Sequence, residues 1–215
     1  MSASSNLERS DTGSPACVVI GGSAGAFHVL RQLLRALDAD MSASVVIVLH
    51  MPPKSPDGLP ELLSRECAVP VKQAEDKEPI ARGTVYFAPP GYHLLVESHR
   101  AFALSMDPPV HFSRPSIDVL FETAADAYRN ELFGILLSGA SHDGATGLQE
   151  IASHGGITAV QSPNSAEAHT MPAAALALFQ PTFLWTPDEL TRELPRMLRD
   201  TDRSRTDSTH AGGIA

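Results

Sequence analysis

At 215 residues the chain only modestly exceeds the roughly 150 of a typical domain, so one domain with ragged ends is expected. Sixteen Lys and Arg against 25 Asp and Glu leave a net charge of −9, which argues against nucleic acid or an anionic membrane surface as a partner. With 43% hydrophobic and 19% charged residues the composition excludes global disorder, and the two cysteines, Cys17 and Cys67, supply neither a disulfide framework nor a paired zinc site.

Residues 1–15 are polar and carry Glu8 and Asp11 without an apolar stretch, so they predict a disordered tail and not a secretory signal. The first strand is predicted over Ala16–Ile20, where Cys17 reads as a small buried hydrophobe. A helix follows over Ala26–Leu37, with Phe27, Leu30, Leu33, Leu34 and Leu37 recurring at spacings of three and four on one face. A second strand falls on Ser44–Leu49. Between 69 and 111 the pattern changes: Val69–Gln73, Thr84–Ala88, His93–Glu97 and Ala101–Ser105 read as strands joined by tight turns, predicting an antiparallel insertion or a sheet extension. Ser116 caps a helix over Ile117–Arg129, and buried strands are predicted over Leu132–Leu137 and Ile157–Gln161. Thr186-Pro187-Asp188-Glu189 opens the last helix with a cap, a first-turn proline and acids at the positive dipole end, and Pro195 should kink or shorten it. Residues 200–215 predict a second disordered tail.

Strands alternating with helices define an α/β fold, a doubly wound, mostly parallel, Rossmann-like sheet with helices on both faces, occupying residues 16–199. No apolar run approaches the roughly 20 residues of a membrane span, so a cytoplasmic protein without membrane insertion is expected.

Gly21-Gly22-Ser23-Ala24-Gly25 follows the first strand and fits Gly-x-Ser-x-Gly, a pattern in which small residues permit a sharp turn that lifts a serine hydroxyl above the sheet edge. Two other readings stand beside it: a glycine-rich turn that merely packs, or a phosphate loop. The phosphate reading lacks Gly-x-Gly-x-x-Gly and an acid closing the next strand, which ends instead in His50. In a parallel sheet all carboxyl ends share one edge, so Ser23 and His50 open onto one crevice if their strands are neighbours. Asp143, in the loop Ser138–Gly144, is the candidate to orient the imidazole, with an alternative role as N-cap of the following helix. If its strand lies on the far side of the Ser23 strand, that loop must arch over to reach His50. Of the other histidines, His142 is the one rival at this edge, and none shows tight metal-ligand spacing, so no metal is expected.

The order Ser23, His50, Asp143 differs from that of α/β-hydrolases, and the surrounding residues resemble the catalytic domain of the chemotaxis receptor methylesterase (CheB) family. The resemblance runs from about Cys17 to about Asp200. It is carried by Ile20–Gly25, His50-Met51-Pro52-Pro53, Tyr86–His93, Arg114–Phe121, Ser138-Gly139 with Asp143-Gly144-Ala145, and Met171-Pro172. It implies a Ser23–His50–Asp143 triad, oxyanion donors at the Ala24 and Ala140 amides, and substrate contacts from Met51, Arg114 and Met171. The implied reaction is hydrolysis of γ-glutamyl methyl esters on the cytoplasmic helices of chemoreceptors, with glutamine deamidation related and no cofactor required. Two alternatives remain, a serine carboxylesterase or amidase with a non-receptor substrate, and a non-catalytic binding module. The chain departs from the family at Gly139-Ala140-Ser141, where Gly-Met-Gly is common, at Ala173, where arginine is frequent, and at Ala26, where glycine is common. With only about 15 residues before the first strand, below the roughly 100 of a receiver domain, constitutive activity or control in trans by a separate protein is expected.

Overall fold

The computed structural model describes residues 14–51 and 58–199. The predicted tails, apart from residues 14 and 15, and the Pro52-Pro53 pair lie outside the described residues.

The runs dense in Val, Ile and Leu become a sheet covered on both faces. β1 (Cys17–Gly22) and β2 (Ser44–Leu49) are buried at every position, as is β7 (Leu132–Leu136), and they pair in parallel with β1 in the middle. With β3 (Val71–Gln73), β4 (Val85–Phe87), β8 (Ile157–Gln161) and β9 (Phe183–Trp185) they form a seven-stranded sheet in the order β3-β4-β2-β1-β7-β8-β9, each pairing parallel. The Rossmann-like α/β expectation is met.

Strand alternation divides the core in two. Val18, Ile20, Val45, Ile47, Phe133 and Ile135 face the leucines of α1 (Ala26–Arg35), α2 (Leu59–Ser64) and α6 (Pro187–Leu198). Cys17, Val19, Val46, Val48, Leu132 and Leu136 face α3 (Ile117–Tyr128), α4 (Ala145–Ser153) and α5 (Thr170–Leu178). Burial among these side chains pushes the Cys17 thiol up to about 12, so it acts as a hydrophobe and not a nucleophile. No helix among the described residues is long and apolar enough to cross a membrane.

The 69–111 segment realises both alternatives: β3 and β4 extend the main sheet in parallel, and β5 (His93–Val96) with β6 (Phe102–Ser105) makes an antiparallel hairpin. Val85 is fully buried where β4 docks beside β2, and β3 adds Val71 on the outer side of β4, burial that a detached hairpin would not provide. Two expectations need correction. Pro195 does not shorten the last helix, which runs three residues past it to Leu198, because Leu190, Leu194 and Leu198 are all anchored in the core and outweigh one missing backbone bond. Phe27 is 36% exposed while Val29 is buried, since the buried stripe of α1 runs through Ala26, Val29, Leu30, Leu33 and Leu34 and Phe27 falls at its margin.

Candidate active site

The carboxyl ends of β2, β1 and β7 bring three polar residues side by side, each just past its strand. The His50 amide donates to the Gly22 carbonyl at 2.9 Å, and the Ser23 amide donates to the Ser138 carbonyl at 2.9 Å. Ser23 therefore sits between His50 and Ser138, about one strand spacing of roughly 4.8 Å from each backbone. The chain leaves β1 for β2 on one side, while β7 lies on the other, and this divergence opens the crevice in which open α/β sheets place their sites.

The turn that presents Ser23 depends on Gly25. Its φ of 77° is left-handed, and an added Cβ would lie 2.5 Å from the Glu167 Cβ and 2.9 Å from the Ser138 hydroxyl. Ser138 clasps this turn: its Oγ donates to the Ala24 carbonyl at 2.7 Å and accepts from the Ala168 amide at 2.9 Å, while its own amide donates to the buried Gln161 Oε1 at 2.9 Å. The Ser23 hydroxyl is half-buried and hydrogen-bonds to no described residue.

The β7 loop does arch over β1. Asp143 is fully buried, and its Oδ2 lies 3.0 Å from His50 Nε2, an ion-pair distance, although the ring N–H is not aligned well enough for a linear hydrogen bond. The carboxylate does not cap its own helix. It spans instead to the start of α3, where Oδ1 accepts from the Ser116 hydroxyl at 2.8 Å and the Asp118 amide at 3.0 Å, and Oδ2 from the Ile117 amide at 2.8 Å. Asp118 answers in kind by accepting from the Gly147 amide of α4 at 2.7 Å. Each carboxylate thus caps the neighbouring helix, and two positive helix ends converge on the site. Gly144 makes the junction possible: its φ is 93°, and a Cβ there would lie 2.6 Å from both Ile117 Cγ2 and Leu136 Cδ1.

These contacts set the protonation states. Burial alone would raise the Asp143 carboxyl, but the His50 ring, the Asp118 and Ile117 amides and the Ser116 hydroxyl outweigh it and hold the group below the ordinary aspartate value. Asp118 goes the other way: burial, with the Asp143 charge adding to it, exceeds the help of the Gly147 amide and of His111, and raises its pKa. Asp143 is therefore ionised beside His50 at neutral pH.

Of the remaining predicted residues, Ala24 and Ala140 are exposed at this edge, and neither amide donates to a described backbone oxygen; the Gly139 amide is already spent on the Ala168 carbonyl at 3.0 Å. Met51 is exposed beside His50. Met171 is completely buried, packed so closely under Gly139 that a Cβ there would lie 2.5 Å from the methionine Cε. It supports the loop from below and does not line the cleft, because the α5 face carrying it turns toward the core. The Arg114 guanidinium is committed to its own loop, with Nη1 donating to the carbonyls of Met106 at 2.8 Å and Asp107 at 3.1 Å. His142 is exposed, and His93 is buried, its Nδ1 accepting from the Ser116 amide at 3.2 Å. Sequence reasoning missed Asp118 and Ser138. An acid two residues after an N-cap serine signals dipole compensation, but its span to a second helix has no local signature.

A hydroxyl, an imidazole and an ionised carboxylate at the carboxyl edge of a parallel sheet place the chain, by fold and site, in the class of α/β serine-hydrolase-like proteins. Residues 18–194 match the CheB methylesterase family model, and the chain belongs to that family. A Leptospira interrogans protein whose name pairs protein-glutamate methylesterase with protein-glutamine glutaminase is 44% identical over 159 residues, 74% of this chain and 82% of that one. A Symbiobacterium thermophilum protein-glutamate methylesterase/protein-glutamine glutaminase is 36% identical over 161 residues, 75% of this chain but 44% of the longer relative. The crystal structure of the Thermotoga maritima CheB methylesterase catalytic domain superimposes with a TM-score of 0.80 at 26% identity, covering 86% of this chain and 99% of that domain.

Proposed function

We propose that residues 16–199 form one cytoplasmic catalytic domain that hydrolyses γ-glutamyl methyl esters on the cytoplasmic helices of chemoreceptors, as a step of chemotactic adaptation. The observation that carries this reading is the 3.0 Å approach of Asp143 to His50 across the strand that leads into Ser23. With Nε2 held toward the carboxylate, Nδ1 is the ring nitrogen left to take the Ser23 proton. Ser23 Oγ then attacks the ester carbonyl, and the oxyanion accepts hydrogen bonds from the Ala24 and Ala140 amides at the positive end of α1. The imidazolium returns its proton to the leaving methoxide as methanol. Water, deprotonated by the same imidazole, cleaves the acyl-enzyme and releases glutamate. A glutamine side chain would follow the same path with ammonia leaving, which is the glutaminase half of the relatives' names. A separate protein controlling the chain in trans would have to cover this same edge.

The experiment is to measure methanol release from methylated receptor fragments beside turnover of a small generic ester. The wild-type chain should release methanol, and Ser23→Ala should lose about 10⁴-fold or more. Turnover of the small ester without methanol release from any glutamyl-methylated protein would favour the carboxylesterase alternative, and full activity in the Ser23→Ala variant would remove Ser23 from the mechanism.

A further inference from the structure

The loop between β6 and α3 holds an aromatic residue in a place that packing does not explain. Val110 and Ser113 exchange backbone hydrogen bonds at 3.1 and 2.8 Å, closing a two-residue turn whose central residues, His111 and Phe112, have φ of 48° and 61°. Two positive φ angles in such a turn are the province of Asn-Gly, and a bulky aromatic there is an outlier. Phe112 is 104% exposed, so burial within the chain does not compensate for the strain. Strained backbone of this kind persists where surrounding structure enforces it, and it concentrates at functional sites.

The enforcement is visible. His93 Nε2 donates to the Pro108 carbonyl at 3.1 Å, Arg114 ties down the carbonyls of Met106 and Asp107, and the Ser105 hydroxyl donates to the Asp107 carboxylate at 2.6 Å. His111 Nε2 rests 3.2 Å from the carboxylate of Asp118, whose amide binds Asp143. The tip is therefore fixed to the catalytic edge through the same network that holds Asp143, and Phe112 stands out beside it on a rigid support. Met106, at the foot of the loop, and Met51, next to His50 in the chain, are exposed as well.

We propose that Phe112 is a specificity-determining residue, an apolar anchor that engages the helical protein segment carrying the glutamyl ester. This rests on the methylesterase reading above. The ester side chain supplies only a few atoms to bind, so discrimination between a protein and a free ester must come from neighbouring surface. On a helix the residues three and four positions from the glutamate lie on the same face and come within reach of the rim. A preorganised aromatic loses little freedom on docking, which is why such residues act as interface anchors.

The test is Phe112→Gly in the full chain, with Phe112→Trp as the conservative partner. Glycine relieves the left-handed strain, so Phe112→Gly should unfold about 2–4 °C higher than wild type. Its kcat/KM for the methylated helical fragment should nevertheless fall about 10-fold relative to that for the small ester, chiefly through KM. Phe112→Trp should restore most of that ratio. An unchanged ratio in Phe112→Gly, with the wild type active on the fragment, overturns the anchor and leaves the methylesterase reading standing. A wild-type chain that hydrolyses the small ester but neither hydrolyses the fragment nor, as Ser23→Ala, binds it overturns both.

Discussion

Replacing Asp143 with asparagine removes one charge from a carboxylate that meets four donors. The wild-type oxygens accept from the Ser116 hydroxyl, the Asp118 amide and the Ile117 amide at 2.8–3.0 Å, and one faces His50 Nε2 at 3.0 Å. Asparagine has one acceptor oxygen. If that oxygen keeps Ser116 and Asp118, the side-chain NH₂ is turned toward the Ile117 amide and His50 Nε2, both donors in the wild-type arrangement. Relief at His50 requires the ring to give up its Nε2 proton and carry it on Nδ1, the nitrogen that must accept from Ser23. Catalysis should then fall about 10⁴-fold, the scale seen when an orienting carboxylate is lost and the wrong tautomer results. Losing two charge-assisted bonds in a buried site costs about 3–5 kcal/mol. At roughly 2–4 °C per kcal/mol for a chain of this size, Tm should drop by about 6–20 °C. Thermal unfolding followed by circular dichroism, with ester turnover measured well below both transitions, separates the two effects. A variant that is destabilised as expected but turns over at the wild-type rate would refute the orienting role and leave Asp143 as the cap of α3 alone.

Acid should weaken the fold through the same carboxylate. Because the folded value of Asp143 lies below that of the unfolded chain, its contribution is complete above the unfolded value of about 3.9 and is lost as pH falls through the folded value. Denaturant midpoints from pH 7 to 3 should therefore fall more steeply for wild type than for Asp143→Asn, and parallel curves would contradict the assigned hydrogen bonds. At the Ser23 turn, Gly25→Ala places a Cβ in left-handed backbone against Glu167 and Ser138 and should cost about 2 kcal/mol, or about 4–8 °C in Tm, together with turnover. A variant as stable and active as wild type would show that the turn relaxes freely.

Local chemistry determined much of this molecule. The unbroken runs Cys17–Ile20, Ser44–Leu49 and Leu132–Leu136 are buried on both sides, which only a covered parallel sheet provides, so fold class was legible from hydrophobicity. The Thr186–Glu189 capping box and the Ser116 cap were legible because each is closed within four residues. Ser23 and His50 could be placed together because their strands are consecutive and parallel. Tertiary structure alone decided the insertion of β4 between β3 and β2, a matter of competing burial across long separation. It also carried Asp143 over β1 to His50, exchanged the Asp118 and Asp143 carboxylates between helices, and buried Met171 under Gly139. These relations join residues far apart in the chain. Their free energy comes from desolvation and packing that exist only after the elements meet, so no local window of sequence contains them.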